Sequence, residues 1–375
     1  MAFLSGGSSS GAIGLDIGTD HIRLAQLRPS GGGFALQRYG LIGLPLGSVV
    51  EGEIVDADAV GTAIRDLMRS VGLRSGANVA AGVSNQKVVV RLVDLPYMDP
   101  AELGGAIQYQ AQDYIPIPVE EAILDYQMIG DYMTSSDEHM MEVLLVAAQR
   151  DMIDQLVNAV DHSGLKLSII DVTSFAIVRG LLGVSPEVLP GEADGEATAI
   201  IQMSAGITNI VVVEKGVPRF TRVSSLAAND FTQAVANSLN TTFAAAEDLK
   251  LRVGLPAPDG TAGVFAADIE PDLARNTQEA LEREVTKFIA EVRRSLDYYL
   301  TQTSSVRAIK RVLLTGSGAQ LRNLDSYVAR GLQATVELAD SGRFVQVPPN
   351  LQALFASDRL GATAAIGLAM GSVVA

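Results

Sequence analysis

The sequence predicts an α/β protein made of two similar lobes that face a common cleft. Residues 12–27, AIGLDIGTDHIRLAQL, follow the order buried strand, glycine turn and second strand, and residues 197–216, ATAIIQMSAGITNIVVVEKG, repeat it. One such hairpin alone would also fit an ordinary turn, but two copies indicate two similar half-molecules. Amphipathic helices alternate with short apolar strands elsewhere, as is typical of α/β folds. The 375 residues, 48% of them hydrophobic, suffice for two cores.

Composition argues against several classes of function. The net charge of −15 disfavours nucleic acid as the main partner, because its phosphates require clustered Lys and Arg. The absence of cysteine excludes disulfides and cysteine-ligated zinc, and the three histidines are scattered. Residues 1–11 lack signal-peptide features, and the charge-free run 361–375 is shorter than the roughly 20 apolar residues of a spanning helix. We therefore expect a cytoplasmic protein with a flexible leader at 1–11.

The first lobe is predicted to cover residues 12–185 and to carry a small inserted α+β subdomain at about 86–165. After the hairpin, apolar spacing predicts a helix over 56–71 and a buried strand over 78–83. In the insert, Asp99-Pro100 is a strong helix start, with the aspartate as the expected N-cap. The other insert elements are predicted as strands over 88–95, 123–129 and 142–148 and a helix over 152–160.

A stretch rich in proline, glycine and acidic residues at 185–196 predicts the boundary between the lobes. The second lobe is predicted to cover 197–360, and a small-residue C-terminal helix, 361–375, to return to the first lobe. The predicted elements of the second lobe are helices over 229–239, 242–253 and 279–300 and a buried strand over 311–314.

Five segments in order resemble the actin-like ATPase superfamily, which includes actin, sugar kinases, chaperone ATPases and the cell-division protein FtsA. AIGLDIGTDHIRLAQL resembles the first phosphate motif, AIIQMSAGITNIVVV the second, and VLLTGSGAQLRNL the adenosine motif. Residues 171–182 and GATAAIGLAMG resemble the two connecting helices. The resemblance implies an actin-like (ribonuclease H-like) two-lobed ATPase fold that binds ATP and Mg²⁺.

The insert is similar to that of the type IV pilus assembly PilM family. The similarity rests on DYIPIPVEEAILDY and LLVAAQRD and extends to EVRRSLDYY. It implies a scaffold of the pilus inner-membrane assembly platform that binds the N-terminal cytoplasmic peptide of PilN, with motor ATPases as possible partners. The rivals are an FtsA-like division or filament-forming protein and a small-molecule kinase. FtsA usually ends in a basic amphipathic helix, and the sequence up to Ala375 contains none after the small-residue helix, so we expect a PilM-like rather than an FtsA-like protein.

The first phosphate motif supplies four candidate residues by resemblance. Asp16 would hold magnesium through water, and the backbone N–H groups of Gly18 and Thr19 would bind phosphate. Arg23 would point at the phosphates or else face solvent as an ordinary strand residue.

The second phosphate motif departs from the family pattern. Relatives have Asp and Gly where this chain has Gln202 and Ser204, and only Gly206 and Thr208 remain. An amide carries no negative charge for the metal, and Asn209, near the position of a water-orienting residue, is a poor base. We therefore expect ATP binding with slow hydrolysis or none, so that the chain is at most a weak ATPase.

Two further groups are candidates. Glu247 and Lys250 lie one helical turn apart, where chaperone-like relatives hold ribose and adenine; the alternative is a solvated ion pair. The turn Gly316-Ser317-Gly318 could lie against adenosine or be a plain strand–helix turn. The candidates for a partner-peptide groove between the insert and the first lobe are Tyr109, Tyr114 and Ile115; the alternative, which the pattern favours, is that they form a local core.

Overall fold

The computed structural model of this chain describes residues 11–184, 195–257, 268–303 and 305–374. In chain order the strands are β1 (Ala12–Ile17), β2 (His21–Ser30), β3 (Gly33–Gly43), β4 (Val49–Val50), β5 (Glu53–Ile54), β6 (Asn78–Val83), β7 (Val88–Pro96), β8 (Ala122–Met133), β9 (His139–Gln149), β10 (Lys166–Val172), β11 (Glu196–Met203), β12 (Thr208–Glu214), β13 (Val217–Ser224), β14 (Ala308–Thr315), β15 (Thr335–Leu338) and β16 (Val345–Gln346).

The helices are α1 (Ala57–Ser70), α2 (Pro100–Tyr114), α3 (Arg150–Ser163), α4 (Thr173–Leu182), α5 (Ala228–Leu239), α6 (Phe243–Val253), α7 (Pro271–Gln302), α8 (Leu324–Leu332), α9 (Gln352–Asp358) and α10 (Thr363–Val374). Short 3₁₀ turns occupy Val119–Glu121, Ser317–Gln320, Ser341–Phe344 and Pro349–Leu351. None of the helices in the described ranges is both long and apolar enough to cross a bilayer.

Two sheets of matching topology form the two lobes. The first has the strand order β10-β6-β1-β2-β3-β16, and the second β13-β12-β11-β14-β15. In each, three consecutive antiparallel strands (β1–β3 and β11–β13) are followed across the sheet by two parallel strands, β6 and β10 or β14 and β15. The repeated hairpin in the sequence therefore marks a repeated half-fold, and the predicted α/β fold of two similar lobes is confirmed.

Helices α4 and α10 lie between the two sheets. Residues of α4 share one apolar core with β11 and β12 of the second sheet and another with β6 and α10. Small residues let these elements approach closely: a Cβ added at Gly367 of α10 would lie 1.7 Å from the Ala176 carbonyl oxygen, and one at Gly14 2.1 Å from that of Ala365. The C-terminal helix thus packs on β1 and α4 of the first lobe.

The insert has a core of its own. Strands β7, β9 and β8 form a three-stranded antiparallel sheet, and α2 covers one face of it. The buried residues of α3 belong instead to the core of the first lobe, with α1 and β6. A Cβ at Gly61 of α1 would lie 2.8 Å from the Ala159 carbonyl oxygen of α3, which shows how closely these helices meet. We therefore propose 86–149 as the inserted subdomain rather than 86–165.

Capping explains where several helices begin. The Asp56 side chain accepts a hydrogen bond from the Ala59 N–H, and that of Thr242 from the Ala245 N–H, so α1 and α6 start as predicted. Asp99 does precede α2, but its side chain makes no capping hydrogen bond, and Pro100 alone marks the start.

Several other expectations differ from the structure or fall outside it. Helix α7 is 32 residues long and begins at Pro271, in a stretch whose prolines favour a loop in the sequence. Strands β13, β15 and β16 were missed because they are short or only half-buried. Most of the predicted leader and of the 185–196 linker lies outside the described residues.

Candidate functional site

The two hairpin turns at the lobe interface are built alike. In the first, the Gly18 N–H donates to the His21 carbonyl; in the second, the Ser204 N–H donates to that of Ile207, both at 2.9 Å. The hydrogen-bonded registers then place Asp16 opposite Arg23. Gln202 takes the equivalent place opposite Asn209 in the second hairpin. The Gly18 N–H, predicted to bind phosphate, therefore closes its own turn in this structure.

The two turns touch each other across the cleft. A Cβ placed on Gly206 would lie 2.4 Å from Thr19 Oγ1 and 2.9 Å from its Cβ, so only glycine fits against this threonine. In the described ranges, no residue accepts a hydrogen bond from the backbone N–H of Thr19 or Gly206. Two backbone donors from opposite lobes, neither used by a residue of the described ranges, therefore lie where the two turns touch.

A buried charge cluster supports the first hairpin. Arg23 makes a bidentate ion pair with Asp358, with Nε–Oδ2 at 2.7 Å and Nη2–Oδ1 at 2.9 Å, and both side chains are over 90% buried. The Tyr39 hydroxyl donates to the same carboxylate at 2.5 Å. Gly361 covers the pair, since a Cβ there would lie 2.3 Å from Asp358 Oδ1. Arg23 is therefore not a solvent-facing strand residue; its guanidinium ties β2 to the segment before α10.

Asp16 is half-buried beside this cluster. Burial raises the pKa of its carboxyl from 3.8 to about 6; Arg23 opposes the shift, and the negative charges of Asp358 and Asp20 add to it. Within the described part of the chain, the Asp16 carboxylate accepts no hydrogen bond. It is thus a desolvated carboxylate with unused oxygens, which is the chemistry that a hard cation compensates.

In the second hairpin an amide network replaces these charges. The Asn209 amide nitrogen donates to Gln202 Oε1, and the Gln202 amide nitrogen to Ser204 Oγ, both at 2.8 Å. Asn209 Oδ1 accepts from Ser84 Oγ at 2.5 Å and from Ser174 Oγ at 3.4 Å, both in the first lobe. All of these side chains except that of Ser204 are buried, so the network joins the two lobes without any formal charge. Thr208 does not join it, because its hydroxyl donates to the Leu226 carbonyl at 2.8 Å.

The predicted adenosine pair braces a helix start. The Lys250 ammonium lies 2.7 Å from Glu247 Oε2 and donates to Thr232 Oγ1 and the Ala228 carbonyl, at 2.8 and 3.2 Å. The Thr232 hydroxyl donates to Glu247 as well. Lys250 is buried and Glu247 half-exposed, so the pair is not a solvated surface ion pair.

The turn at 316–318 lies beside the end of β11. Gly316 has φ +91°, and a Cβ there would meet the Met203 carbonyl oxygen at 2.2 Å, so glycine is required twice over. A Cβ at Gly318 would lie 2.9 Å from the Ala228 Cβ of α5. Ser317 between them is half-buried. This turn, the second hairpin and the first turn of α5 therefore lie together at the carboxyl ends of β11 and β14, two interior strands of the second sheet.

The candidate peptide residues do not share one surface. Ile115 is buried in the insert core and Tyr114 packs against it, whereas Tyr109 is 88% exposed on α2. As placed, only Tyr109 is open to a partner. Their role in peptide binding stays a prediction.

Sequence reasoning missed four residues of the site, Tyr39, Ser84, Ser174 and Asp358. Two of them carry a readable signal: Ser84 directly follows the buried strand β6, and Asp358 is an acid just ahead of the small-residue helix. Their partners lie 125 and 335 positions away, so local patterns could not identify them.

The residues present fit a magnesium ion that is coordinated mainly by phosphate oxygens of a bound nucleotide and by water. The described residues contain no group of three His, Cys, Asp or Glu side chains that could hold a metal alone. Magnesium in phosphate sites commonly uses one or two carboxylates, several waters and the phosphate oxygens. Asp16 fits the part of such a single carboxylate.

The family described as type IV pilus assembly protein PilM matches residues 14–373, nearly the whole chain. The chain belongs to this PilM family. A solved structure of a PilM-PilN type IV pilus biogenesis complex is similar over 97% of this chain and 98% of that one, with 25% identity and a TM-score of 0.80. The resemblance to the PilM family inferred from the insert is confirmed.

More distant likenesses agree on the superfamily. FtsA of Streptococcus pneumoniae is 26% identical over 265 residues, which are 65% of this chain and 56% of the FtsA chain. The chain thus spans little more than half of that relative. MreB5 of Spiroplasma citri, solved with ADP, covers 96% of this chain and 95% of its own at 14% identity and a TM-score of 0.53, a likeness of fold. Membership of the PilM family and these likenesses together give this chain the predicted actin-like fold.

Proposed function

We propose that this PilM-family protein is an ATP-binding scaffold of the type IV pilus assembly platform, with nucleotide between its two hairpins. The observation that carries the proposal is the contact of Thr19 with Gly206, where two unused N–H donors from opposite lobes meet beside Asp16. A polyphosphate held there would accept both N–H groups and share a magnesium ion with Asp16. Because the turns touch, entry of the phosphates requires the lobes to separate.

The second hairpin makes this site a poor hydrolase. The position equivalent to Asp16 holds Gln202, whose amide is already bonded to Asn209 and Ser204. Neither amide can take a proton from an attacking water, and neither adds negative charge to the metal. Nucleotide would then act by stabilising one arrangement of the lobes rather than by turnover.

The partner proposed for this scaffold is the N-terminal cytoplasmic peptide of a PilN-like membrane protein. The support is the likeness, at a TM-score of 0.80, to a chain of the PilM-PilN complex. The protein would then work at the inner face of the cytoplasmic membrane through its partners, in pilus biogenesis and twitching motility. Assembly motor ATPases are further proposed partners.

Nucleotide binding is tested by titration calorimetry with Mg²⁺ and a nonhydrolysable ATP analogue. Asp16→Asn should weaken binding at least tenfold, on the order of a lost charge-assisted metal contact. The control Asp20→Asn, in the same turn but half-exposed, should change it less than threefold. Equal loss in both variants would mean a general charge effect and would contradict the assigned site.

Two more assays separate the proposal from its rivals. A PilN-like N-terminal peptide should bind the full chain, with an affinity that changes when the ATP analogue is added. ATP turnover at ordinary enzyme rates, abolished in Asp16→Ala, would contradict the scaffold role. ATP-dependent polymers in light scattering would favour an FtsA-like filament, and transfer of phosphate to small hydroxyl compounds a kinase.

A further inference from the structure

Strand β8 leaves one edge of the insert sheet unpaired. The strand order is β7-β9-β8, and β8 pairs with β9 through 11 of its 12 residues, with a bulge at Ile129. Its other edge pairs with no strand of the described residues. A long edge strand exposes a row of backbone N–H and C=O groups that can pair with another chain.

This edge is unusually apolar for an exposed strand. Both faces of β8 contribute, since register places alternate residues on the α2 side and on the opposite side of the sheet. The large hydrophobic side chains that are 37% to 58% exposed are Ile123, Tyr126, Met128, Ile129, Tyr132 and Met133. An extended partner added to this edge would cover apolar side chains on both faces.

The negative charge of the insert favours a basic partner. Residues 86–149 contain eleven acidic and two basic side chains, so this subdomain carries −9 of the total net charge of −15. On the strand itself, Asp125 and Asp131 are exposed on opposite faces, the latter 2.6 Å from His139 Nε2. Glu120, Glu121 and Glu138 are exposed close to its two ends.

We propose that the β8 edge binds an extended segment in which apolar residues alternate with Lys or Arg, added as a fourth strand of the insert sheet. Its backbone would pair with the free edge, and its basic side chains, which all lie on one face of an alternating strand, would meet either Asp125 or Asp131 according to the register. A second copy of this chain is disfavoured as the occupant, because two inserts of charge −9 repel each other. The surface is separate from the nucleotide cleft, and its test is independent of nucleotide binding.

The test is fluorescence anisotropy with a labelled synthetic 12-residue peptide that alternates Lys and Val. Three forms of this probe are compared: the parent peptide, one with Glu in place of each Lys, and one with N-methyl groups on consecutive backbone amides, so that neither of its edges can pair. The parent should bind the full-length protein and protect the amides of β8 from hydrogen exchange. Both altered peptides should bind at least tenfold more weakly, because one loses the charge match and the other the strand pairing.

Matched protein variants locate the site. Asp125→Lys with Asp131→Lys should weaken the parent peptide about tenfold or more. Glu279→Lys with Asp297→Lys, the same charge change at exposed positions of α7, should weaken it less than twofold. Equal loss in the two double variants, equal binding of the N-methylated peptide, or a β8-dependent dimer of the free protein in sedimentation would each overturn the proposal.

Discussion

The two hairpins share one backbone geometry and differ in what fills it. In the first, the cross-strand pair is Asp16 and Arg23, and the arginine is tied by an ion pair to Asp358 near the C-terminal helix. In the second, the same register holds Gln202 and Asn209, and the asparagine is tied by a neutral hydrogen bond to Ser84 of the other lobe. The same hairpin geometry thus carries a buried ion pair in the first lobe and neutral hydrogen bonds between the lobes in the second.

This difference predicts where stability and ligand response reside. Buried charges are costly to leave without a partner, whereas a neutral hydrogen bond contributes little net free energy. Disturbing the charged hairpin should therefore affect folding most, and disturbing the amide hairpin should chiefly affect how the lobes close.

The largest expected effect is that of Asp358→Ala. The change leaves the Arg23 guanidinium buried without its carboxylate and should lower the free energy of unfolding by about 3–5 kcal/mol. Urea denaturation measures it. As a control, Lys87→Ala, which breaks the exposed Lys87–Glu53 pair, should cost less than about 1 kcal/mol. Equal costs in the two variants would show that the Arg23–Asp358 pair has no special structural role.

The next largest effect is expected from adding a side chain where the two turns touch. Gly206→Ala places a Cβ 2.4 Å from Thr19 Oγ1 and should cost about 1–3 kcal/mol or force the lobes apart, which small-angle scattering would detect. Adding Thr19→Gly should relieve the clash and recover most of the loss. Failure of the second change to compensate would mean that the two turns do not meet as described.

The Asp16 carboxyl provides a pH test. Its folded-state pKa of about 6 exceeds the 3.8 of an ordinary Asp, so the native state binds the proton more tightly than the unfolded chain does. Stability from this group is therefore lost as pH rises from 3.8 to about 6 and stays constant above. Asp16→Asn should be more stable than the parent at neutral pH by about 1–2 kcal/mol, allowing for solvent screening, and equal to it below pH 4.

Urea midpoints at several pH values give this difference for the two proteins side by side. Subtracting the free energy of unfolding of the variant from that of the parent at each pH removes the contributions of all other titrating groups. A difference that did not vary with pH would contradict the assignment of the shift to Asp16. A carboxylate that costs stability when unliganded is expected of a residue retained for binding.

The smallest expected effect on the free energy of unfolding is that of removing the neutral Ser84–Asn209 hydrogen bond between the lobes. Ser84→Ala removes the 2.5 Å hydrogen bond to Asn209 and should cost about 1 kcal/mol. Ser168→Ala loses a comparable bond to the Val79 carbonyl within the first lobe and serves as the control. Both should destabilise alike, but only the Ser84 variant should alter affinity for the ATP analogue. A shared effect on affinity would mean that Ser84 does not link the lobes.

The local features of this fold were readable from the sequence. Period-two apolar strands, glycine turns and caps such as Asp56 act over a few residues, and they predicted both hairpins and most helices. The edge strands β13 and β15 and the first turns of α7 were missed, because half-buried edges and prolines give weak or misleading local signals.

The positions of the candidate site were predicted from the sequence, but the hydrogen-bond and ion-pair partners of its side chains were not. The hairpin residues follow from the motif. The orientation of the Arg23 side chain depends on Asp358, which Tyr39 also contacts, and that of Asn209 depends on Ser84. Such partners are fixed by tertiary packing over more than a hundred positions, and no spacing rule encodes them. The boundary of the insert near 149 likewise follows from how α3 packs, which periodicity alone does not show.

The most direct test of this account is a crystal structure of the protein with Mg²⁺ and a nonhydrolysable ATP analogue. The account predicts lobes parted at Thr19 and Gly206, the phosphates between the two turns, and Asp16 as the one carboxylate facing the metal. A nucleotide bound elsewhere, or one bound while Thr19 still touches Gly206, would contradict it.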